Sequence, residues 1–332
     1  MTRMMADISV AMCTFNGSKY IRQQISSIAR QTVLPQEIII SDDGSTDGTL
    51  ELARGIVSEL TKEFPDFARV EVRFTFNPVG LGVTRNFEQA IAHTKQSFII
   101  LSDQDDEWLD DKIKVLEGEM RKSPHSALVF SDAFLVDEKG QIFGAGLFDA
   151  LGLSSSERRE ILTPRAFRVL LRRNIVTGAT SVISRELFEL AAPFPEAWLH
   201  DEWLAMVAAV HDLPIRLVRP LIKYRQHGFN QVGVKKSTVS GKLEALRVER
   251  KVRNDRLLRR AEELQSRSEV WVIDASHRRL IQAKVQHEIA RSRYPAAQAA
   301  RLLPVVKEVL TLRYSQAGRG FRDVLRDLVQ PS

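Results

Sequence analysis

The feature that most narrows the fold is a recurrence of short, nearly uncharged apolar runs near the start of the chain: Ile8 to Cys13, Glu37 to Ser41, Val70 to Phe74 and Phe98 to Leu101, with longer amphipathic stretches between them. Runs of this kind are what strands look like when helices cover both faces of a sheet, and the stretches between them are long enough for crossover helices. A layered α/β fold with a mixed, mostly parallel sheet is therefore expected. Tyr20, Ile21, Ile25 and Ile28 fall on one stripe of a helix that opens near Gly17, with Pro35 as its end. Thr46-Asp47-Gly48-Thr49 offers cap chemistry for a second helix through Leu50, Leu52 and Val57, closed by Pro65, and Gly80-Leu81-Gly82 precedes a third.

After residue 125 the spacing predicts a strand over Ala127 to Val136, a helix opening at Thr163-Pro164 and a strand near Thr180 to Ser184. A helix over His200 to Val210 and a strand near Leu221 to Arg225 complete the body. From about Ser237 the chain reads as Arg-rich helix, broken by Pro295, Pro304, Gly318 and Gly320. Two regions are expected: an α/β body over 1–235 and a basic helical appendage over 236–332.

With 332 residues, 44% apolar and 27% charged, the chain can bury a large core and is neither disordered nor fibrous. Its single cysteine, Cys13, lies in an apolar run, which excludes an internal disulfide and predicts a buried, inert thiol in a reducing compartment. No signal-peptide pattern and no apolar run of bilayer length is found, so a cytoplasmic protein is expected. The net charge of +6 divides unevenly: residues 235–332 hold 22 Lys/Arg against 11 Asp/Glu, or +11, and the rest 26 against 31, or −5. A basic tail beside an acidic body suits an anionic partner, although a solvated helical face would look the same. Trp271, Tyr294, Tyr314 and Phe321 are too widely spaced for a base-stacking platform. The tail is thus read as contacting an anionic membrane or forming a homo-oligomer, with no nucleic acid among its partners.

Ligands of open α/β sheets bind beyond the carboxyl ends of the strands, and those ends are polar here. The first run ends in Thr14-Phe15-Asn16-Gly17, the second in Asp42-Asp43-Gly44-Ser45-Thr46-Asp47 and the fourth in Ser102-Asp103-Gln104-Asp105-Asp106. Asp103 and Asp105 leave an extended segment on the same side. Paired carboxylates repel unless a cation lies between them, and hard oxygen ligands suit Mg²⁺ or Mn²⁺ completed by substrate phosphates; an acidic turn capping the next helix is the alternative. Glycine-rich dinucleotide and P-loop fingerprints are missing, as is zinc-ligand spacing.

Taken together the strand ends resemble the family 2 glycosyltransferases of GT-A fold. The resemblance rests on Thr14-Phe15-Asn16, the Ser41 to Asp47 run, Asn77 with Gly80, Gly82, Arg85 and Asn86, Asp103-Gln104-Asp105-Asp106, and His200-Asp201-Glu202-Trp203, over residues 8 to about 230. It implies a metal-dependent inverting transfer of a sugar from a nucleotide-diphosphate donor to a hydroxyl of an acceptor glycan or lipid-linked acceptor. By the same resemblance Thr14 and Asp42 hold the nucleobase, with Asn16 and Asp43 beside them, and Arg85 lies near the nucleotide and the metal-binding acid; a structural ion pair of Arg85 with Asp42 or Asp103 is the alternative. Asp103 lies by ribose and metal, Asp105 on the metal, and His227 near metal or diphosphate, with Lys223, Arg225 and nearby glycines closing a phosphate loop. Asp201 is the implied base, Glu202 its less favoured substitute, and Gly178, Ala179 and Trp203 belong with Glu202 to the donor-sugar and acceptor region. A carboxylate suits the imide N–H of uracil or thymine, so UDP-sugars and dTDP-sugars, dTDP-rhamnose among them, are the expected donors. The motif variants look like those of bacterial surface-polysaccharide (O-antigen) enzymes, rhamnosyltransferase-like ones included, which act at the inner face of the membrane. Competing expectations are a nucleotidyltransferase and a non-catalytic polyanion-binding protein.

Overall fold

The structure, a computed structural model, describes residues 2–123, 125–227 and 250–331. Gly228, the loop running on to residue 240 and the boundary expected at 235/236 lie outside the described residues. The strands are β1 (Met4–Thr14), β2 (Val33–Asp42), β3 (Glu71–Phe76), β4 (Phe98–Ser102), β5 (Glu107–Trp108), β6 (Leu128–Ser131), β7 (Phe134–Val136), β8 (Ser181–Ser184), β9 (Ile215–Val218) and β10 (Ile222–Arg225). The helices that bear on the argument are α1 (Ile21–Ala29), α2 (Thr49–Glu63), α3 (Val83–Ala92), α4 (Lys112–Met120) and α5 (His200–Val210). The C-terminal region adds α6 (Arg250–Val270), α7 (Ala275–Ser292), α8 (Leu302–Leu310), α9 (Arg313–Gln316) and α10 (Phe321–Val329).

Seven strands form one sheet in the order β3-β2-β1-β4-β8-β6-β9, and β5-β10-β7 form a second. Within the large sheet every neighbouring pair is parallel except those made by β8. The chain winds outward from β1 through β2 to β3, then returns to place β4 on the other side of β1. That reversal opens a crevice at the carboxyl ends of β1, β2 and β4. The register puts Thr14 opposite Asp42 and Met12 opposite Ser102, so the polar segments that follow emerge together. Ile8, Val10, Met12, Ile38, Ile40 and Ile100 point into the core between sheet and helices, where they meet Ile21, Ile25 and Ile28 of α1.

Contacts group the described residues of Met1–Arg158, Ile175–Ala208 and Leu213–Val234 into one compact unit, and those of Arg159–Asn174, Ala209–Asp212 and Lys235–Ser332 into another. In the second unit α6 and α7 pack together, and Tyr294, Val305 and Tyr314 make a small apolar cluster.

Three expectations about elements are corrected. Pro35 does not end the first helix, which stops at Ala29; it lies inside β2 opposite Ala6, where the ladder is irregular and a missing N–H is tolerated. The single strand expected over Ala127 to Val136 is β6 and β7 in two sheets. Asp132 turns the chain between them, its carboxylate accepting the N–H groups of Ala133 and Phe148. Pro304 does not break a helix but occupies the first turn of α8, where its lacking N–H costs nothing.

Glu37 pins the strands that carry the crevice. Buried in β2, it accepts from Ser9 of β1 at 2.6 Å, from Arg73 of β3 and from the backbone N–H of Lys95 just before β4. Burial alone raises a carboxyl's pKa, but these hydrogen bonds and the Arg73 charge hold Glu37 below its ordinary range. Its stabilisation is therefore complete above the unfolded carboxyl pKa and is lost as pH falls through the lowered one. Glu37→Ala is expected to cost about 3 kcal/mol in urea unfolding at neutral pH, since it strands a partly buried guanidinium. The gap to the parent protein should narrow on acidification below about pH 4.

Candidate active site

Short side chains weld the ends of β1 and β2 into one platform. Asp42 is buried, and its carboxylate accepts from Thr14 Oγ1 at 2.6 Å, Ser45 N at 2.8 Å and Ser45 Oγ at 2.7 Å. Asn16, at φ 48°, takes the left-handed conformation that its short polar side chain tolerates, and its Oδ1 accepts the Thr46 N–H at 2.9 Å. Asp43 is bound to the next loop, accepting from Leu81 N at 2.8 Å, Gly82 N at 2.9 Å and Asn77 Nδ2 at 3.1 Å, which fixes the entry to α3. The platform is joined to β4 by Gln104, whose amide exchanges two hydrogen bonds with the backbone of Phe15 at 2.8 and 2.9 Å. A Cβ on Gly17 would lie 2.0 Å from that amide oxygen, so a larger residue there would displace Gln104 from Phe15.

Arg85 pairs with Glu88 at 2.8 Å, one turn along α3, rather than with Asp42 or Asp103 as the ion-pair alternative had it.

Negative charge accumulates beyond β4. Burial and the charges of Asp105 and Asp201, offset by Lys112, push the half-buried Asp103 up to about 7. Burial, Asp105 and Asp103 likewise raise Asp106, whose Oδ1 accepts the Arg225 N–H at 2.9 Å while Oδ2 has no hydrogen-bond partner among the described residues. Asp105 Oδ2 lies 2.7 Å from His227 Nε2, and the imidazole stacks on Tyr20 with ring centroids 5.0 Å apart. Tyr224 is raised by burial and by all four of these carboxylates, Asp103, Asp106, Asp105 and Asp201, which marks one confluence of charge. A carboxylate oxygen, an imidazole nitrogen and an orphaned buried oxygen suit a hard divalent cation that completes its shell from a substrate. Among the described residues there is no closed cage of three or more His, Cys, Asp or Glu.

Arg225 and Lys223 do not form the expected phosphate loop. Arg225 is buried over the Tyr20 ring and donates to the carbonyls of Asp105, Asp137 and Glu138 and to Gln23 Oε1 at 2.6 Å, bracing the acidic turn from below. Lys223 pairs with Glu107 at 3.2 Å.

Asp201, whose charge also acts on Asp103, stands in the first turn of α5. Its Oδ2 accepts the Gly178 N–H at 2.9 Å and its Oδ1 the Glu202 N–H at 2.7 Å. Gly178, Ala179 and Thr180 form a 3-10 turn leading into β8. Ala179 O accepts from Lys112 Nζ at 2.6 Å, and Lys112 is wholly buried, with Nζ 4.1 Å from the Trp108 ring centroid. Burial draws this amine down to about 7 against the opposing pull of Asp106 and Asp103. Lys112 thereby links the acidic turn to the turn that holds Asp201, a role sequence reading missed; one lysine on a helix that also carries Ile113 and Leu116 gives no sign of burial. His200 stacks on Phe87 with centroids 3.8 Å apart, and burial lowers it to about 3, so it is neutral. Glu202 is half-buried beside Asp201. Trp203 is core: fully buried, with its indole N–H donated to Ala191 O at 2.8 Å, it supports the site and does not line it.

Comparison with known proteins places this geometry. The family model "Glycosyl transferase family 2" matches residues 9–189, more than half of the chain. A dTDP-rhamnosyl transferase, RfbG of Shigella flexneri, is 28% identical over 232 residues, 67% of this chain and 73% of its own. A cholesterol galactosyltransferase of Borreliella burgdorferi is 25% identical over 54% of this chain and 48% of its own. Among solved structures, S. aureus TarS 1–349 in complex with UDP-GlcNAc superimposes with TM-score 0.55 at 16% identity, over 97% of this chain and 89% of that one. The mannosyltransferase PcManGT of Pyrobaculum calidifontis, in complex with GDP-Man and Mn²⁺, gives 0.52 at 15% identity, over 98% and 86%. These neighbours share the GT-A fold, a mixed and mostly parallel sheet, with this chain.

The packing of the 178–180 turn makes a prediction of its own. A Cβ on Gly178 would fall 2.6 Å from His200 Nε2. Gly178→Ala is expected to lower stability by about 1–3 kcal/mol in urea unfolding, as overpacking does. The loss should shrink in a His200→Ala background, where the obstructing ring is gone. Equal losses in both backgrounds would contradict the close fit of this turn on His200.

Proposed function

The chain belongs to glycosyl transferase family 2, and we propose that it is an inverting, metal-dependent transferase that moves a sugar from a UDP- or dTDP-sugar to a hydroxyl of a glycan or lipid-linked acceptor. The observation that carries this reading is the meeting of two different carboxylate environments in one compact unit. One is a crowded acidic turn, Asp103, Asp105 and Asp106; the other is a single carboxylate, Asp201, oriented by backbone N–H groups.

Asp105 and His227 are the residues that would hold Mg²⁺ or Mn²⁺, with Asp103 alongside. When bound, the cation neutralises charge developing on the departing nucleoside diphosphate. On the nucleotide side, Thr14, Asn16, Asp42 and Asp43 supply the welded platform. Asp42 acts there by organising the loop, since its oxygens already accept three protein hydrogen bonds. Arg85, half-exposed on α3, is assigned to the nucleotide's negative charge.

Asp201 is the base. An ionised carboxylate is purely an acceptor with several lone-pair sites, the property needed to receive the proton of an acceptor O–H. As the acceptor oxygen bonds to the anomeric carbon, the bond from that carbon to the diphosphate oxygen breaks and the hydroxyl proton passes to Asp201. A single displacement inverts the anomeric configuration and needs no covalent sugar intermediate. Gly178 and Ala179 place Asp201, and Glu202 flanks it on the acceptor side. Fold-level similarity to the GT-A neighbours is compatible with several sugars. The RfbG relative, named as a dTDP-rhamnosyl transferase, favours dTDP-rhamnose and a bacterial surface-polysaccharide setting, O antigen included. That setting places the reaction at the cytoplasmic face of the membrane, with the basic C-terminal region contacting anionic lipid and a homo-oligomer as the competing use of that region.

Two substitutions separate the roles. Asp201→Asn should leave nucleotide-sugar binding within about twofold of the parent and cut turnover by roughly 10²–10⁴, the usual contribution of a general base. Asp105→Ala should weaken donor binding measured with Mn²⁺ and leave binding measured in chelator unchanged. Nucleoside diphosphate release, and no pyrophosphate from a nucleoside triphosphate, distinguishes the reaction from nucleotidyl transfer. Full turnover in Asp201→Asn would overturn the assignment.

A further inference from the structure

The C-terminal unit is built inside out. Arg291 bonds to Asp327 at 2.7 Å and to Glu288 at 3.0 Å, Lys284 reaches Glu288 at 2.8 Å, and Arg253 also pairs with Asp327, all of them withdrawn from solvent. His287 meets Glu308 at 2.7 Å in the same interior. Every carboxylate between residues 302 and 331, namely Glu308, Asp323 and Asp327, is buried in this network.

The outer faces of α8 and α10 are the reverse. In α8 the residues four apart, Leu302, Val306 and Leu310, are exposed, Leu310 by 77%. In α10 Phe321, Leu325 and Val329 repeat the spacing, Phe321 exposed by 78%. Residues four apart share one side of a helix, so each helix presents an apolar stripe while its acids point inward. Cations stand on the flank of each stripe: Lys307 on α8, one place beyond Val306, and Arg322 and Arg326 on α10, one place beyond Phe321 and Leu325. The two helices touch one another, and exposed apolar stripes of this kind mark an interaction site. A stripe of large apolar side chains edged by Lys and Arg, with no exposed carboxylate, is the pattern of a helix that lies in a lipid interface. No helix among the described residues is long and apolar enough to cross a membrane.

We propose that the stripes of α8 and α10 form a docking surface for an anionic lipid bilayer: their apolar side chains enter the boundary between headgroups and acyl chains, and Lys307, Arg322 and Arg326 pair with the lipid phosphates. A second copy of the chain would have to match this cationic rim with an identical one, a repulsion that an anionic surface turns into attraction. The surface stands on residues outside the transferase site and does not depend on the chemistry assigned there.

The test uses the full chain and vesicles of phosphatidylcholine, alone or mixed with phosphatidylglycerol. Phe321→Trp keeps the stripe apolar and reports its depth. The emission it adds to that of the parent, whose four tryptophans are the background, should shift to the blue with mixed vesicles and be quenched by lipids brominated along the acyl chain. Arg322→Gln with Arg326→Gln should weaken partition into mixed vesicles by roughly twentyfold, and Leu325→Gln by roughly tenfold, with far-ultraviolet dichroism and thermal melting of the variants checking that they fold. Added emission of Phe321→Trp over the parent that ignores mixed vesicles would overturn the proposal. So would equal partition into neutral and anionic vesicles, or a Leu325→Gln variant that loses an oligomer while sedimenting with vesicles as before.

Discussion

Like charges crowded at the ends of parallel strands are the constraint around which the catalytic unit is arranged. Asp103, Asp105, Asp106 and Asp201 all act on one tyrosine, Tyr224, and two of them, Asp103 and Asp106, are pushed toward protonation by burial and by neighbouring carboxylates. A fold gains nothing from such a cluster for stability alone, because each desolvated carboxylate costs several kcal/mol unless it is paired. The protein offsets part of that cost with Lys112 and His227 and with backbone N–H groups aimed at Asp106 and Asp201. What is left over is an excess of negative charge, which a divalent cation would neutralise under the proposed reading.

The same excess explains why so many neighbouring groups are committed to holding backbone. Arg225, expected to close over phosphates, has all three of its nitrogens on internal acceptors under the acidic turn. Asp42 and Asp43 spend their oxygens on loop N–H groups and hydroxyls, and Gln104 closes β1 onto β4 through Phe15. Rigid supports of this kind allow a carboxylate to sit within reach of a substrate while its neighbours repel it.

The sequence carried the parallel strands and their polar ends clearly, since burial on both faces leaves an uncharged run and the carboxyl ends of β1, β2 and β4 form the crevice by topology. Helix α5 was legible to its boundaries because His200-Asp201 opens an unbroken apolar stretch. Less legible were elements that depend on partners distant in the chain. The two-residue β5 exists only through its pairing with β10, and β6 parts from β7 because Asp132 caps a turn with N–H groups as far on as Phe148. Trp203, two residues after Asp201, enters the expected site through the family resemblance, but helical periodicity turns it to the core. Lys112 is the opposite case: a residue type normally solvated is buried by contacts to Trp108 and Ala179 that no local pattern announces.

The central claim, that Asp105 and His227 seat a cation which the donor's diphosphate completes, is tested most directly by electron spin echo spectroscopy of Mn²⁺ with the full chain. The account predicts weak Mn²⁺ binding alone, much tighter binding with UDP or dTDP, and in that complex a coupling to one imidazole nitrogen that disappears in His227→Gln. Nucleoside diphosphate that binds equally well with Mn²⁺ and with chelator, and a Mn²⁺ signal without any imidazole coupling, would contradict it.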